Sequence, residues 1–121
     1  MDGEQPVLRV MDQTSDDVIV VTVQGELDIA TADLLADRLT DICRRSDAVT
    51  IDLRRVSFLD CAGLRLLLTV HADAAARGCQ VDFIQGPRAV ERLFELTGTL
   101  ETLPFTAPGA AATAATAASI A

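Results

Sequence analysis

The chain has 121 residues and a formal net charge of -8, from 18 acidic and 10 basic residues. This length is typical of one domain with its own hydrophobic core. Half of the residues are hydrophobic but only 3% are aromatic, which predicts an aliphatic core. The acidity argues against nucleic acid or an anionic membrane as the main partner, because the sequence shows no basic patch to neutralise phosphates.

We expect a cytoplasmic protein without direct membrane contact. No apolar run is long enough to span a bilayer, and the first residues, MDGEQP, do not resemble a signal peptide. The cysteines Cys43, Cys61 and Cys79 are odd in number and form no CxxC pair, so neither a disulfide framework nor a zinc site is indicated. In a reducing compartment they are expected to remain thiols.

The first part of the chain predicts two strands and a helix. Residues 7–12 (VLRVMD) and 17–24 (DVIVVTVQ) are rich in β-branched residues and flank a polar turn, which is typical of a hairpin. After GELD at 25–28, hydrophobic residues recur at helical spacing through 31–45. Thr31 is predicted as the N-cap of this helix. The residues expected on its buried face are Leu35, Leu39, Ile42 and Cys43.

The second part alternates strands and helices. Alternating hydrophobic residues predict a strand at 48–53 (AVTIDL), and 80–85 (QVDFIQ) is a second candidate. A third helix is predicted to have Pro87 as its first residue and to end at Gly98. A short last strand is expected within 99–105.

A helix is predicted between these two strands, at 62–77, and Gly78 is expected to end it. The residues predicted to share its buried face are Leu64, Leu67, Leu68, His71 and Ala75. His71 lies within that face, so we interpret it as a structural histidine rather than a ligand.

The predicted order is β-β-α-β-α-β-α-β. Two strand–helix–strand units predict neighbouring parallel strands joined by right-handed crossovers, with the helices packed on the sheet. Residues 1–106 are expected to form the domain. The remaining segment, 107–121, is alanine-rich and free of charge, and is expected to be disordered.

Two loops, GELD at 25–28 and DCAG at 60–63, follow strands that are predicted to be adjacent and parallel. The carboxyl ends of such strands lie at one edge of the sheet, where open α/β sheets bind their ligands. Asp28 and Asp60 are open to two interpretations, partner contact or loop structure, with Asp60 well placed as an N-cap. Gly63 is expected to permit a close approach of the backbone.

Four segments are notable for their order and spacing. They are GELD at 25–28, VTIDLRRVSFLDCAGLRLL at 49–67, RGCQVDFI at 77–84 and VERLFELTG at 90–98. Together they resemble the STAS-domain family of anti-sigma factor antagonists, over about residues 7–105. The resemblance implies the STAS fold, a single mixed sheet of four to five strands with three main helices. It also implies an antagonist that binds an anti-sigma factor, usually a serine-phosphorylating ATPase related to histidine kinases, and so frees a sigma factor for transcription.

In that family, phosphorylation of a serine or threonine just before the glycine of a D-S-[ST]-G-L loop abolishes binding. Ala62 occupies this position here, preceded by Cys61. Because alanine has no hydroxyl, the antagonist is expected to be constitutively competent or regulated in another way. Thr31 is an alternative acceptor, although its role as an N-cap is favoured, and Ser57 is a poorer substitute. The implied partner-binding residues are Asp28, Thr31, Asp60, Cys61, Ala62, Gly63 and Leu64.

Cys61 has a second interpretation as a redox site. A helix N-terminus favours a thiolate, which would permit a sulfenic acid or a disulfide to Cys43 or Cys79. The adjacent Asp60 opposes a second negative charge, and the favoured interpretation is that Cys61 simply packs as a small residue.

Three function classes remain open: an antagonist in partner switching, a scaffold subunit of a larger signalling or membrane-transport complex, and a small-molecule sensor. The first is favoured because the chain is short and carries no transporter or sensor segment. No phosphate-binding glycine loop is present, and no catalysis, metal or cofactor is expected. The chain is expected to be a monomer or a weak dimer.

Overall fold

The computed structural model describes residues 8–99 and 103–106. The elements are, in chain order, β1 (Leu8–Ser15), β2 (Val18–Leu27), α1 (Ala32–Arg45), β3 (Ala48–Leu59), α2 (Cys61–Ala76), β4 (Gln80–Ile84), α3 (Arg88–Thr97) and β5 (Phe105–Thr106). This order is the predicted one. Pro87 precedes α3 as its N-cap instead of being its first helical residue. The predicted disordered segment 107–121 lies outside the described residues.

One sheet with the strand order β1-β2-β3-β4-β5 organises the described part of the chain. β1 and β2 are antiparallel, whereas β2, β3, β4 and β5 are successively parallel. The predicted class, an α/β fold with a mixed sheet and three helices, is confirmed. The short β5 adds a third strand–helix–strand unit to the two that were predicted.

The helices bury aliphatic faces against this sheet. In α1 the buried residues are Leu35, Leu39 and Ile42, as predicted, with Cys43 half-buried beside them. In α2, Ala74 is buried, whereas Ala75 is exposed, so the prediction for Ala75 was wrong. The reason is helical geometry: Ala74 follows Leu67 by seven residues, nearly two full turns, and Ala75 is rotated past that face.

His71 is half-buried in α2, and its ring centroid lies 6.3 Å from that of Phe83, in agreement with the structural role expected for it. Over the described stretches of chain, no helix combines the length and apolar character needed to cross a membrane.

β2 and β3 extend further toward their carboxyl ends than the sequence predicts. β2 continues to Leu27 and β3 to Leu59. Two irregularities in their pairing, between Thr22 and Gln24 and between Gly25 and Glu26, each place one extra residue in β3. Gly25 adopts a φ of 111°, which a residue with a side chain rarely does. The bulges let β3 remain paired through its polar stretch, so that both strands end at the same level.

Candidate functional site

The two predicted loops meet at one edge of the sheet. Leu27 and Leu59 are paired in the parallel register of β2 and β3, and each is the last residue of its strand. The backbone N–H of Asp60 donates to the carbonyl of Leu27 at 3.3 Å, which joins the two strand ends. We call the two segments at this edge, residues 26–33 and 57–64, the rim.

Asp28 organises the first loop of the rim. Its Oδ1 accepts hydrogen bonds from the backbone N–H of Ala30 at 2.9 Å and of Thr31 at 3.1 Å. Its carbonyl accepts from the N–H of Ala32, the first residue of α1, at 2.8 Å. Asp28 therefore pairs N–H groups that the start of a helix would otherwise leave without partners.

Thr31 stands at the N-cap position of α1, but its side chain does not cap the helix. Its ψ of -9° differs from the extended backbone that a capping side chain needs. The hydroxyl instead donates to the carbonyl of Glu26 at 2.8 Å and accepts from the N–H of Asp28 at 3.0 Å. The predicted N-cap position is therefore confirmed, whereas the capping hydrogen bond expected from its side chain is absent. Thr31 is only 7% exposed, and its hydroxyl stabilises the loop by bonding to two of its backbone groups.

Asp60 joins β3 to α2 and is the N-cap predicted from the sequence. Its backbone is extended, and its Oδ1 accepts from the N–H of Gly63 at 3.0 Å. Its carbonyl accepts from the N–H of Leu64 at 2.9 Å. One aspartate thus accepts two hydrogen bonds from the first turn of α2, and Asp28 has a similar role before α1.

Gly63 permits α2 to begin in contact with both strand ends. A Cβ added to Gly63 would lie 2.6 Å from the carbonyl oxygen of Leu27 and 2.6 Å from Cδ1 of Leu59. The expected close backbone approach is therefore present. The next residue, Leu64, is buried as well, so this end of α2 is fixed by packing from two sides.

The sulfhydryl groups lie at opposite ends of α2. Cys61, the first residue of the helix, is exposed on the rim, and Ala62 beside it is half-buried. Cys79 is buried beyond the other end of the 16-residue helix, which is about 24 Å long. A disulfide requires Cα atoms within about 7 Å, so this fold rules out a bond between Cys61 and Cys79.

Cys43 belongs with Cys79 rather than with Cys61. The pKa of Cys43 is raised to about 11, first by burial and then by the charge and hydrogen bond of the neighbouring Cys79, against a lowering effect of Arg77. Because Cys43 adjoins Cys79, a disulfide from Cys61 to Cys43 is excluded on the same grounds. The two disulfides considered from the sequence were therefore wrong, whereas oxidation of Cys61 itself stays a prediction.

Two exposed apolar residues of the rim escaped the sequence analysis. Ile29 is 80% exposed directly after Asp28, and Phe58 is 50% exposed two residues before Asp60. The sequence signal for Ile29 was a large apolar residue within the predicted loop between a strand and a helix. The signal for Phe58 was hidden, because a phenylalanine near a strand end is more often part of the core.

The sequence analysis also missed an ion pair in β3 between the buried Asp52 and the exposed Arg54. Asp52 is 5% exposed, and its carboxylate accepts from Nε of Arg54 at 3.0 Å and from a terminal nitrogen at 2.8 Å. Burial raises the pKa of Asp52, but the hydrogen bonds from Arg54 outweigh it and hold the pKa below its usual value. The pair lies outside the rim, and its sequence signal was the Asp-x-Arg spacing along one strand.

No group of three or more His, Cys, Asp or Glu side chains that could hold a metal ion occurs in 8–99 or 103–106. The chemistry of the rim is instead that of a protein surface. Its exposed residues are mostly small or apolar, with the acidic Glu26 and Asp33 among them, and the carboxylates of Asp28 and Asp60 accept hydrogen bonds from backbone N–H groups. Such a surface is suited to contact with another macromolecule.

Comparisons with known proteins agree with this description. The family model of the STAS domain matches residues 9–112. The solved structure of an anti-sigma factor antagonist from Mycobacterium paratuberculosis is 28% identical, with a TM-score of 0.74 over 81% of this chain and 84% of that one. The unphosphorylated form of the anti-sigma factor antagonist SpoIIAA from Bacillus is 16% identical, with a TM-score of 0.67 over 83% of this chain and 86% of that one, a likeness of fold alone.

A curated relative is longer than the matched region. Osmosensory protein A of Mycobacterium tuberculosis (strain ATCC 25618 / H37Rv) is 30% identical over 74 residues, which are 61% of this chain and 47% of that protein. The chain thus spans about half the length of this relative.

Proposed function

The chain belongs to the STAS domain family, and from this we propose that it is an anti-sigma factor antagonist, which binds an anti-sigma factor and so frees a sigma factor for transcription. The proposed partner is an anti-sigma factor of the histidine-kinase-like ATPase type. Support comes from the match over most of the chain and from the 28% identity to a solved anti-sigma factor antagonist. The proposed role is binding, without catalysis.

The observation that carries this proposal is the joined rim. The hydrogen bond between Asp60 and Leu27 places both motif loops side by side, so that one partner surface can cover them together. Of the seven residues implied by the family resemblance, Asp28 and Asp60 are half-buried and the other five divide into two groups. Cys61 and Ala62 are accessible for contact, whereas Thr31, Gly63 and Leu64 are buried and act by shaping the surface.

We further propose that this antagonist lacks the phosphorylation switch. Ala62 offers no oxygen to a kinase. The hydroxyl of Thr31 is buried and donates to Glu26, which argues against it as a substitute acceptor. A phosphate would add about -1.5 to -2 charges to a surface that already carries carboxylates, so its absence keeps the rim in one binding state.

A binding experiment tests the proposal. Anti-sigma factors of the histidine-kinase-like ATPase type, purified individually from the same genome, are titrated with the chain by calorimetry, with and without ATP. At least one is expected to bind, and its affinity is expected to survive prolonged incubation with ATP. Failure of every member of this panel to bind would overturn the proposed function.

The matched control restores the missing hydroxyl. We expect Ala62→Ser to bind the same anti-sigma factor and then to lose affinity as the kinase adds one phosphate to it, because the new serine stands at the family's acceptor position. Peptide mass spectrometry locates the phosphate. Stoichiometric phosphate within residues 25–33 or 57–69 of the unaltered chain would contradict the missing switch.

A scaffold role is the second candidate. It is favoured by one observation: the matched region covers only 47% of Osmosensory protein A, so related sequence occurs within a longer protein. A scaffold subunit predicts stable self-assembly or a stable complex with a larger signalling or transport protein. Light scattering of the purified chain, which is expected to show a monomer or weak dimer for an antagonist, separates the two.

A further inference from the structure

Two of the carboxylates of the rim, those of Asp28 and Asp60, hold its loops. Asp28 accepts two backbone hydrogen bonds through Oδ1, and Asp60 accepts one from Gly63 through the same atom type. Turning the carboxylate of Asp28 toward a partner would leave the N–H of Ala30 without this acceptor, and turning that of Asp60 would do the same to the N–H of Gly63 in the first turn of α2. These two residues are therefore suited to shaping the surface and poorly suited to being its main points of contact.

Large apolar side chains flank these carboxylates. Ile29 follows Asp28 and is 80% exposed, and Phe58 precedes Asp60 by two residues and is 50% exposed. Elsewhere in the described part of the chain, the exposed large hydrophobic residues are Met11, Leu34 and Leu96. Large apolar side chains that stay exposed beside such hydrogen-bonded loops are characteristic of interaction surfaces.

The charge of the rim indicates what kind of surface fits it. Its two segments, ELDIATAD at 26–33 and SFLDCAGL at 57–64, contain four carboxylates and no arginine or lysine. The whole chain has a net charge of -8. A surface with apolar pockets bordered by basic side chains is complementary to this combination in both respects.

We propose that Ile29 and Phe58 are the apolar anchors by which a basic protein partner holds the rim. This inference rests on the proposed function, so the partner is the anti-sigma factor, whose contact surface then carries apolar pockets bordered by arginine or lysine. Buried apolar and aromatic side chains dominate the affinity of most protein interfaces, whereas exposed ion pairs contribute little. The acidic rim accelerates association with the partner, and Asp28 and Asp60 keep the anchors in place.

The test compares the anchors with an exposed apolar residue outside the rim. Ile29→Ser, Phe58→Ser and the control Met11→Ser, whose side chain is 44% exposed on β1, are titrated against the anti-sigma factor that binds the unaltered chain. We expect each anchor variant to bind at least tenfold more weakly and the control to bind within twofold. Circular dichroism and melting curves verify that all three are folded.

A second measurement needs no variant. Amide chemical shifts of the unaltered chain are followed while the same anti-sigma factor is added, and the largest changes are expected at Ile29, Phe58 and their sequence neighbours. Anchor variants that bind within twofold, or shift changes centred away from the rim, would overturn this inference and leave the proposed function intact. Absence of binding by the unaltered chain would overturn both.

Discussion

Gly63 lies directly against the carbonyl oxygen of Leu27: a Cβ built on the glycine would stand 2.6 Å from that oxygen. The first turn of α2 thus rests on the end of β2 as well as on β3, which it follows in the chain. The contact is with backbone, which cannot rotate away as a flexible side chain can. The relative position of the two rim segments therefore depends on the absence of one side chain.

We expect Gly63→Ala to lower the free energy of unfolding by about 1–3 kcal/mol, because forcing atoms into a packed contact shifts its surroundings. The higher helix propensity of alanine, about 0.5–1 kcal/mol, only partly offsets this loss. Urea denaturation measures the change. Partner affinity is expected to fall too, because the displaced helix start carries Cys61 and Ala62.

Gly78→Ala is the matched control for this variant. Gly78 has a φ of 82° and nothing within 4 Å of an added Cβ, so alanine there is destabilising through backbone strain alone. It is expected to lower stability without altering partner affinity. Equal losses of affinity in both variants would show that general destabilisation, and not the position of α2, explains the effect.

Two substitutions of Asp60 distinguish its structural role in the loop from a contribution of its charge to partner binding. Asp60→Ala removes the acceptor of the Gly63 N–H and is expected to destabilise the protein by about 0.5–2 kcal/mol. Asp60→Asn keeps an oxygen in that place and is expected to retain nearly all of the stability. If the carboxylate mainly shapes the loop, the asparagine variant also keeps its affinity for the anti-sigma factor. A tenfold loss of affinity in Asp60→Asn with unchanged stability would assign the charge a direct contact.

The sequence predicts the parts of this fold that depend on local chemistry. The caps at Asp60 and Gly98 follow from side chains and backbone preferences of single residues, and both are present. The adjacency of the two loops follows from parallel strand connection, which is a general rule. The predicted contribution of individual rim residues to partner binding stays a prediction.

The features of the fold and of the rim that the sequence did not predict depend on tertiary context. The end of β3 was set too early because Arg54 and Arg55 interrupt its alternation, and the bulges that accommodate them involve pairing with β2. Thr31 and Asp28 lie in the same loop, and either could cap α1 by its residue type. Only the three-dimensional arrangement shows that Asp28 accepts the hydrogen bonds of the N–H groups there. Exposure of Ile29 and Phe58 likewise depends on what the rest of the chain leaves uncovered.

Asp52 and Arg54 predict a pH dependence of stability. The carboxyl of Asp52 has a lowered pKa in the folded protein, because the hydrogen bonds from Arg54 outweigh burial. Its stabilisation is therefore complete above the unfolded-state pKa of about 3.9 and is lost as pH falls through the lower folded-state value. Urea denaturation between pH 7 and pH 2 is expected to show this loss of stability. In Asp52→Asn, which has no carboxyl at this position, the loss on acidification is expected to be smaller.

Removing only the arginine provides the stronger test of this pair. In Arg54→Met the buried carboxylate loses its charged donor, which is expected to lower stability at pH 7 by about 1–3 kcal/mol. Without the Arg54 side chain the pKa of Asp52 rises, so this variant is expected to lose less of its stability on acidification than the unaltered protein does. An Arg54→Met variant as stable as the unaltered protein at pH 7 would show that the ion pair contributes nothing.

The three thiols are expected to differ in their reaction with an aromatic disulfide reagent at neutral pH. Cys61 is exposed on the rim and should react first. Cys43 is half-buried with a pKa of about 11, so its thiolate is scarce, and Cys79 is buried. One fast thiol per chain is therefore expected, and Cys61→Ser should abolish that phase alone. If bound anti-sigma factor covers the rim, it also slows the labelling of Cys61, and labelling at an unchanged rate in the complex would place the partner elsewhere.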